Sequence, residues 1–324
     1  AHRHTRPVAW GAMPLAPPRS LSPSKVTSFT SCPLAFRLTI IDRLPEPPSA
    51  AAVKGTLVHS ALEGLIWHHP PGGRDRPAAL AELASAWEAL QADPEFADLG
   101  LQPAAAEAFR ADAEVLVGHY FDLEDPDRVR AVGVELGLET DVDGLRLRGI
   151  IDRLDLNDDG ELVVVDYKTG RAPSARFEQG KMTGVHTYAL LCEQVLGRPP
   201  AEVRLLYLRD RVTITAVPSE QSIRGQRRRT GAVWQAIERA CDRDDFQPRP
   251  STLCRFCHFQ AICPAQAGGA AGAEVATSAQ VATPAEVATS AEVADPAGIA
   301  TPAGIATPAE IATSAQTATP AKAS

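Results

Sequence analysis

A chain of 324 residues with 44% apolar residues is long enough to bury one large core or two modest ones. No stretch approaches the roughly 18 to 20 uninterrupted apolar residues of a membrane span, and the opening AHRHTRPVAWGAMPLAPP lacks the apolar block of a secretory signal, which predicts a cytoplasmic protein with no membrane partner. The net charge of −8 does not exclude a nucleic-acid partner: from Glu274 onward Glu274, Glu286, Glu292, Asp295 and Glu310 face only Lys322, and a metal ion at an acidic site reverses the sign that a phosphate meets.

Residues 1–20 are rich in Pro and Arg without periodicity and read as a disordered lead. Next comes a helical part. Leu57, Ala61, Leu62, Leu65 and Ile66 recur at helical spacing, and residues 77–91 and 103–122 predict two further helices. From Val132 the pattern turns to strands: VGVELGLETDV, a turn at Asp143-Gly144, LRLRGIIDRLDL, a turn at Asp158-Asp159-Gly160, then ELVVVDYK. Both Asp-Gly pairs suit tight hairpins, because Gly accepts the positive φ such turns demand, and the result is a three-stranded meander. A helix over 176–196, strands over 202–208 and 211–217 and a helix over 220–241 complete a mixed α/β body spanning 21–266. Beyond it, 267–324 form a low-complexity tail, with a six-residue unit such as EVATSA or GIATPA repeated over 274–321; its composition predicts disorder.

The chemistry concentrates at two places. Side chains alternate across a strand, so Asp166 and Lys168 in VVVDYK share one side while Tyr167 points to the other. Asp152 in GIIDRLDL lies across the second hairpin, which brings two hard oxygen donors together and, with a third ligand, suits Mg2+ or Mn2+. A metal that polarises a phosphate, beside a lysine that positions water or steadies charge, suits phosphodiester hydrolysis. A surface ion pair has the same pattern. The second place is Cys254, Cys257 and Cys263, a C-x2-C-x5-C run, with Cys32 far upstream in SCPLAF; four thiolates hold either a 4Fe-4S cluster or a tetrahedral zinc. Cys192 and Cys241, inside helical patterns, read as small buried apolar residues.

The segment GIIDRLDLNDDGELVVVDYKTG closely resembles the core of RecB-like nucleases in the PD-(D/E)XK superfamily, and the resemblance extends to SPSKVTSFTSCPLAFRL and GTLVHSALEGL, about Leu21 to Pro264. It implies a restriction-endonuclease-like mixed sheet flanked by helices. It also implies His59, Asp152 and Asp166 as metal ligands, a contribution from the Tyr167 carbonyl and Lys168 as the catalytic lysine, with Glu135 where some members place another acid. In that family, which includes the AddB subunit and the CRISPR-adaptation nucleases, cysteines spaced like Cys32, Cys254, Cys257 and Cys263 hold an iron-sulfur cluster, which implies a 4Fe-4S staple rather than zinc. One departure concerns the helix after the lysine, which often carries Gln and, four residues on, Tyr: Tyr188 fits, whereas Gly184 occupies the Gln position.

Tyr188, Arg227 and Arg228, the last two in an Arg-rich helix start, are candidate DNA contacts. No Walker A loop is present, so unwinding falls to a helicase or other repair partner. The function these features predict is a DNA exonuclease acting on single strands or ends in repair or recombination. An endonuclease or CRISPR-type end-processing enzyme would use the same site, and a catalytically idle iron-sulfur DNA-binding module is the alternative of another class.

Overall fold

The computed structural model describes residues 14–173 and 178–267. Of the predicted disordered lead, residues 1–13 lie outside the described residues, as does the repeat tail from residue 268, whereas residues 14–20 join the folded body, with Ser20 buried. Leu15 already donates its backbone N–H to the Cys241 carbonyl (3.2 Å) and packs on the core.

The helical part begins with α1 (Pro23–Ser31) and α2 (Pro33–Phe36), followed by a π-helical turn over Arg37–Ile41. Each start is encoded locally: Pro23 occupies the first turn of α1, where its missing N–H costs nothing, and the Ser22 hydroxyl caps the Lys25 N–H. Next come α3 (Ala50–His68), α4 (Arg76–Gln91, capped by Asp75), the short α5 (Pro94–Ala97) and α6 (Pro103–Tyr120). Leu57, Ala61, Leu62, Leu65 and Ile66 of α3 are buried, as their helical spacing predicts, together with Val58.

The sheet has five strands in the order β1-β2-β3-β4-β5: β1 (Ala131–Val142), β2 (Leu145–Leu156), β3 (Leu162–Lys168), β4 (Glu202–Tyr207) and β5 (Val212–Ala216). The first three form the predicted antiparallel meander, and Asp143 (φ 53°) and Gly144 (φ 80°) take the two left-handed positions of the first hairpin. A long helix, α7 (Glu178–Leu196), carries the chain over to β4, which runs parallel to β3, while β5 returns antiparallel. After it come α8 (Glu220–Arg243) and a cysteine-bearing segment ending in α9 (Pro264–Ala267).

Both faces of the sheet are covered, which explains the unbroken apolar run LVVV in β3. Val163, Val165 and Tyr167 pack against α3, α4 and α6, whereas Leu162 and Val164 pack with α1, α7 and α8 in a second cluster. Alternation therefore puts Asp166 and Lys168 on the α7 side. Pairing of β2 with β3 is confined to Arg153–Leu156; farther back, where β2 leaves β3, Leu21 bridges Leu147 instead. The opening between β2 and β3 holds the candidate site.

Candidate active site

Where the β2–β3 ladder ends, a side chain takes over from the backbone: Asp152 Oδ2 accepts the Tyr167 N–H at 2.7 Å. From the α3 side, His59 Nε2–H donates to the Tyr167 carbonyl at 3.0 Å. The other ring nitrogen, Nδ1, lies 3.5 Å from Asp152 Oδ2. The two peptide groups flanking Tyr167 thus join His59 to Asp152. The Tyr167 ring is anchored on the far face: its hydroxyl accepts from Arg153 (2.6 Å), a fully buried guanidinium that also grips Asp155 and Glu124 and reaches the Tyr120 hydroxyl (3.1 Å).

Asp166 and Lys168 form an ion pair on the α7 side, as their two-residue spacing predicts. The Tyr188 hydroxyl of α7 reaches Asp166 Oδ1 at 3.4 Å. Gly149 lets α7 lie this close, because a Cβ there would stand 2.8 Å from Leu191 Cδ1 and 3.5 Å from the Tyr188 ring. Glu135, opposite Asp152 on β1, completes a cluster: His59, Glu135 and Asp152 each offer a ligand atom, all within 4.8 Å of one another. Its φ of 44° is a left-handed conformation that a non-glycine strand residue rarely adopts.

These acids repel one another. Burial and then the neighbouring Asp166 push Asp152 up to about 6, against the opposing pull of His59, the Tyr167 N–H and Lys168. Glu135 is exposed by surface area, yet its carboxyl group is crowded by protein; desolvation, followed by Asp152, Glu63 and Asp166, pushes it up to about 7. Burial also raises the Tyr188 hydroxyl, with Asp166 adding to the effect, so it stays a neutral donor. Lys168 is held above its ordinary value: burial pulls it down, but the Asp166 partner more than offsets that.

A divalent cation suits this donor set. Three acids crowd one opening with a single lysine among them, a ring nitrogen of His59 lies in the same cluster, and the buried Asp166 Oδ2 accepts no hydrogen bond of ordinary geometry beyond its ion pair. The tight trio differs from the predicted ligand set in containing Glu135, with Asp166 turned toward Lys168 and Tyr188.

Against this geometry, the sequence profile of the PD-(D/E)XK nuclease superfamily matches residues 20–264. The chain belongs to that superfamily. Membership makes it a nuclease, a phosphodiester hydrolase with DNA as substrate, in a family that uses divalent metals; the mixed five-stranded sheet between helices is the restriction-endonuclease-like fold that goes with it. The gene 69 protein of Mycobacterium phage D29 is 24% identical over 274 residues, covering 75% of this chain and 96% of the phage protein. The gene 69 protein of phage L5 is 29% identical over 134 residues, 40% of this chain and 44% of its own. Among solved structures, a protein of Eubacterium rectale provisionally named an exonuclease aligns with a TM-score of 0.46 at 12% identity, over 74% of this chain and 87% of its own.

The remaining predicted residues of this superfamily member fall into two groups. Cys32, Cys254, Cys257 and Cys263 all line one cavity of about 180 Å3 between α1 and the C-terminal segment. Among the described residues no three of their sulfurs come within 4.8 Å of one another, so they surround a space rather than meet at a point. Two backbone N–H groups reach them, Arg249 to Cys32 (3.5 Å) and Ser251 to Cys254 (3.3 Å). Cys192 and Cys241 are buried, as predicted. Arg227 lies on the exposed face of α8 but is held by Asp143 at the first hairpin (2.6 and 2.8 Å), while Arg228 is exposed. Gly184, where the family often has Gln, has nothing within 4 Å of where a Cβ would stand. Two residues escaped the sequence reading. Glu63, whose carboxyl group is within electrostatic reach of Glu135, follows His59 by one helical turn, a spacing that could have found it. Arg153 had no such signal, since an Arg in a strand reads as exposed.

Among the described residues, no helix is long and apolar enough to cross a membrane.

Proposed function

We propose that the chain is a Mg2+- or Mn2+-dependent deoxyribonuclease, an exonuclease of single strands or DNA ends that acts in the cytoplasm in repair or recombination, alongside a helicase or similar partner. The convergence of His59, Glu135 and Asp152 within 4.8 Å, with the Asp166–Lys168 pair beside them, carries this reading. His59, Asp152 and Asp166 hold the ion with the Tyr167 carbonyl, and Glu135 supplies a further oxygen. When bound, the ion supplies Lewis-acid polarisation of the scissile phosphate and acidifies the attacking water. Lys168 Nζ orients that water and balances the charge that develops on phosphorus. Asp166 keeps the ammonium protonated and in place, and Tyr188 holds the outer oxygen of Asp166. An intact set of this kind speaks against the idle-module alternative.

The four cysteines are proposed to hold a 4Fe-4S cluster. The four line one cavity, and the N–H donors toward Cys32 and Cys254 suit thiolates that carry a bound metal centre. Iron and sulfide analysis of protein purified without oxygen tests this; a colourless product containing stoichiometric zinc would overturn it. End-dependence is tested with Mn2+ on a linear and a circular single-stranded DNA of equal length. The linear strand is expected to disappear while the circle persists; equal loss of both would make the enzyme an endonuclease.

A further inference from the structure

Where β2 leaves β3, the segment before α1 fills the vacated edge: Leu21 N–H donates to the Arg146 carbonyl and Arg148 N–H to the Leu21 carbonyl, both at 2.9 Å. Two cations are thereby brought side by side. Lys25, in the first turn of α1, reaches back to the Ser20 carbonyl with Nζ (2.9 Å). Arg148 projects from β2 at the same crossing. Both are half-buried, and burial followed by the nearby Arg148 charge lowers the Lys25 ammonium from its ordinary value.

Among the described residues neither cation has an ion-pair partner. Glu139 stands directly across from Arg148 in the β1–β2 register, yet its carboxylate goes to Arg146 instead. Like charges brought together in half-buried surroundings, with the acid opposite Arg148 committed elsewhere, are costly unless an anion completes them. Arg148 is four residues along β2 from Asp152, about 13 Å at 3.3 Å per residue, which is a few nucleotides of strand from the acidic cluster.

We propose that Lys25 and Arg148 form a phosphate-binding subsite that holds the DNA backbone a few nucleotides away from the bond at Asp152. This subsite would also offset the acidity of the site itself, since it gives the strand a cationic hold beside a cluster of carboxylates. The choice of DNA as ligand rests on the nuclease reading above.

The test measures binding of a fluorescein-labelled single-stranded 20-mer against salt concentration, using full-length protein with Mn2+ in a Lys168→Ala background that leaves the strand uncut. Lys25→Gln and Arg148→Gln are each expected to weaken binding several-fold at low salt. Each should also reduce the slope of log affinity against log salt by about 0.7, the value for one phosphate contact on a single strand. Arg148→Lys, which keeps the charge, should retain the slope. In the otherwise wild-type enzyme the Gln variants should raise KM with kcat unchanged. Unaltered affinity and slope in both Gln variants, at unchanged Tm, would overturn the subsite, as would loss of slope in Arg148→Lys. If the unsubstituted protein cuts nothing while the slope still falls in the Gln variants, the subsite stands and the nuclease reading fails.

Discussion

At the residue scale the central fact is that Asp152 and Glu135 are carboxylic acids pushed up to about 6 and about 7, each by burial first and then by a neighbouring acid, Asp166 for Asp152 and Asp152 for Glu135. A carboxyl group whose folded value lies above its unfolded value binds more protons when folded. Its contribution to stability is therefore full below about pH 4 and is lost as pH rises through 6 to 7. A divalent ion reverses this, because it binds the deprotonated forms. The gain in Tm on adding Mn2+ should accordingly grow between pH 5 and pH 8 and shrink in Asp152→Asn; a gain independent of pH would mean that these acids do not hold the ion. Tyr188 is a smaller case. Its hydrogen bond to Asp166 is long at 3.4 Å, so Tyr188→Phe should lower kcat only a few-fold.

At the level of elements, the site depends on what lies behind it. Arg153 is fully buried between Glu124 and Asp155 and steadies the ring whose backbone joins His59 to Asp152. Removing one partner of such a group leaves buried charge uncompensated, so Arg153→Met should cost about 3–5 kcal/mol, read as a fall in the urea midpoint. α7 is held to β2 through the bare Cα of Gly149. Gly149→Val should displace Leu191 and Tyr188 together, at a cost of about 1–3 kcal/mol for overpacking. If its Tm is unchanged, α7 is not held as described.

These elements also show what the sequence could disclose. The meander, its Asp-Gly turns and the following strands and helices were legible because their periodicities are local, and Asp166 and Lys168 because alternation places them together. The separation of β2 from β3 was not, since it follows from twist and from Leu21 arriving at Leu147 across more than a hundred residues of chain. Hence the Glu135 contribution, which depends on a left-handed residue opposite Asp152, stayed ambiguous in the sequence. Arg153 stayed hidden because its partners come from α6, the loop after it and the neighbouring strands.

Across the whole molecule, two apolar layers clasp one sheet, and the C-terminal cysteine segment returns to α1 near the start of the chain. A cluster joining Cys32 to Cys254, Cys257 and Cys263 would close a loop of more than 200 residues and restrict the unfolded chain strongly. It would also tie α1, and with it Lys25, to the rest of the body. The acidic opening between β2 and β3 is the proposed place of phosphodiester cleavage. The most direct measurement is the single-turnover rate of single-stranded DNA cleavage with Mn2+, for wild type and for Lys168→Ala, with Mn2+ affinity measured in both. Cleavage at this opening predicts a rate lower by about 10²- to 10³-fold in the variant, the scale for loss of one charge-stabilising group, with Mn2+ still bound; equal rates in the two proteins, or no cleavage by either, would contradict it.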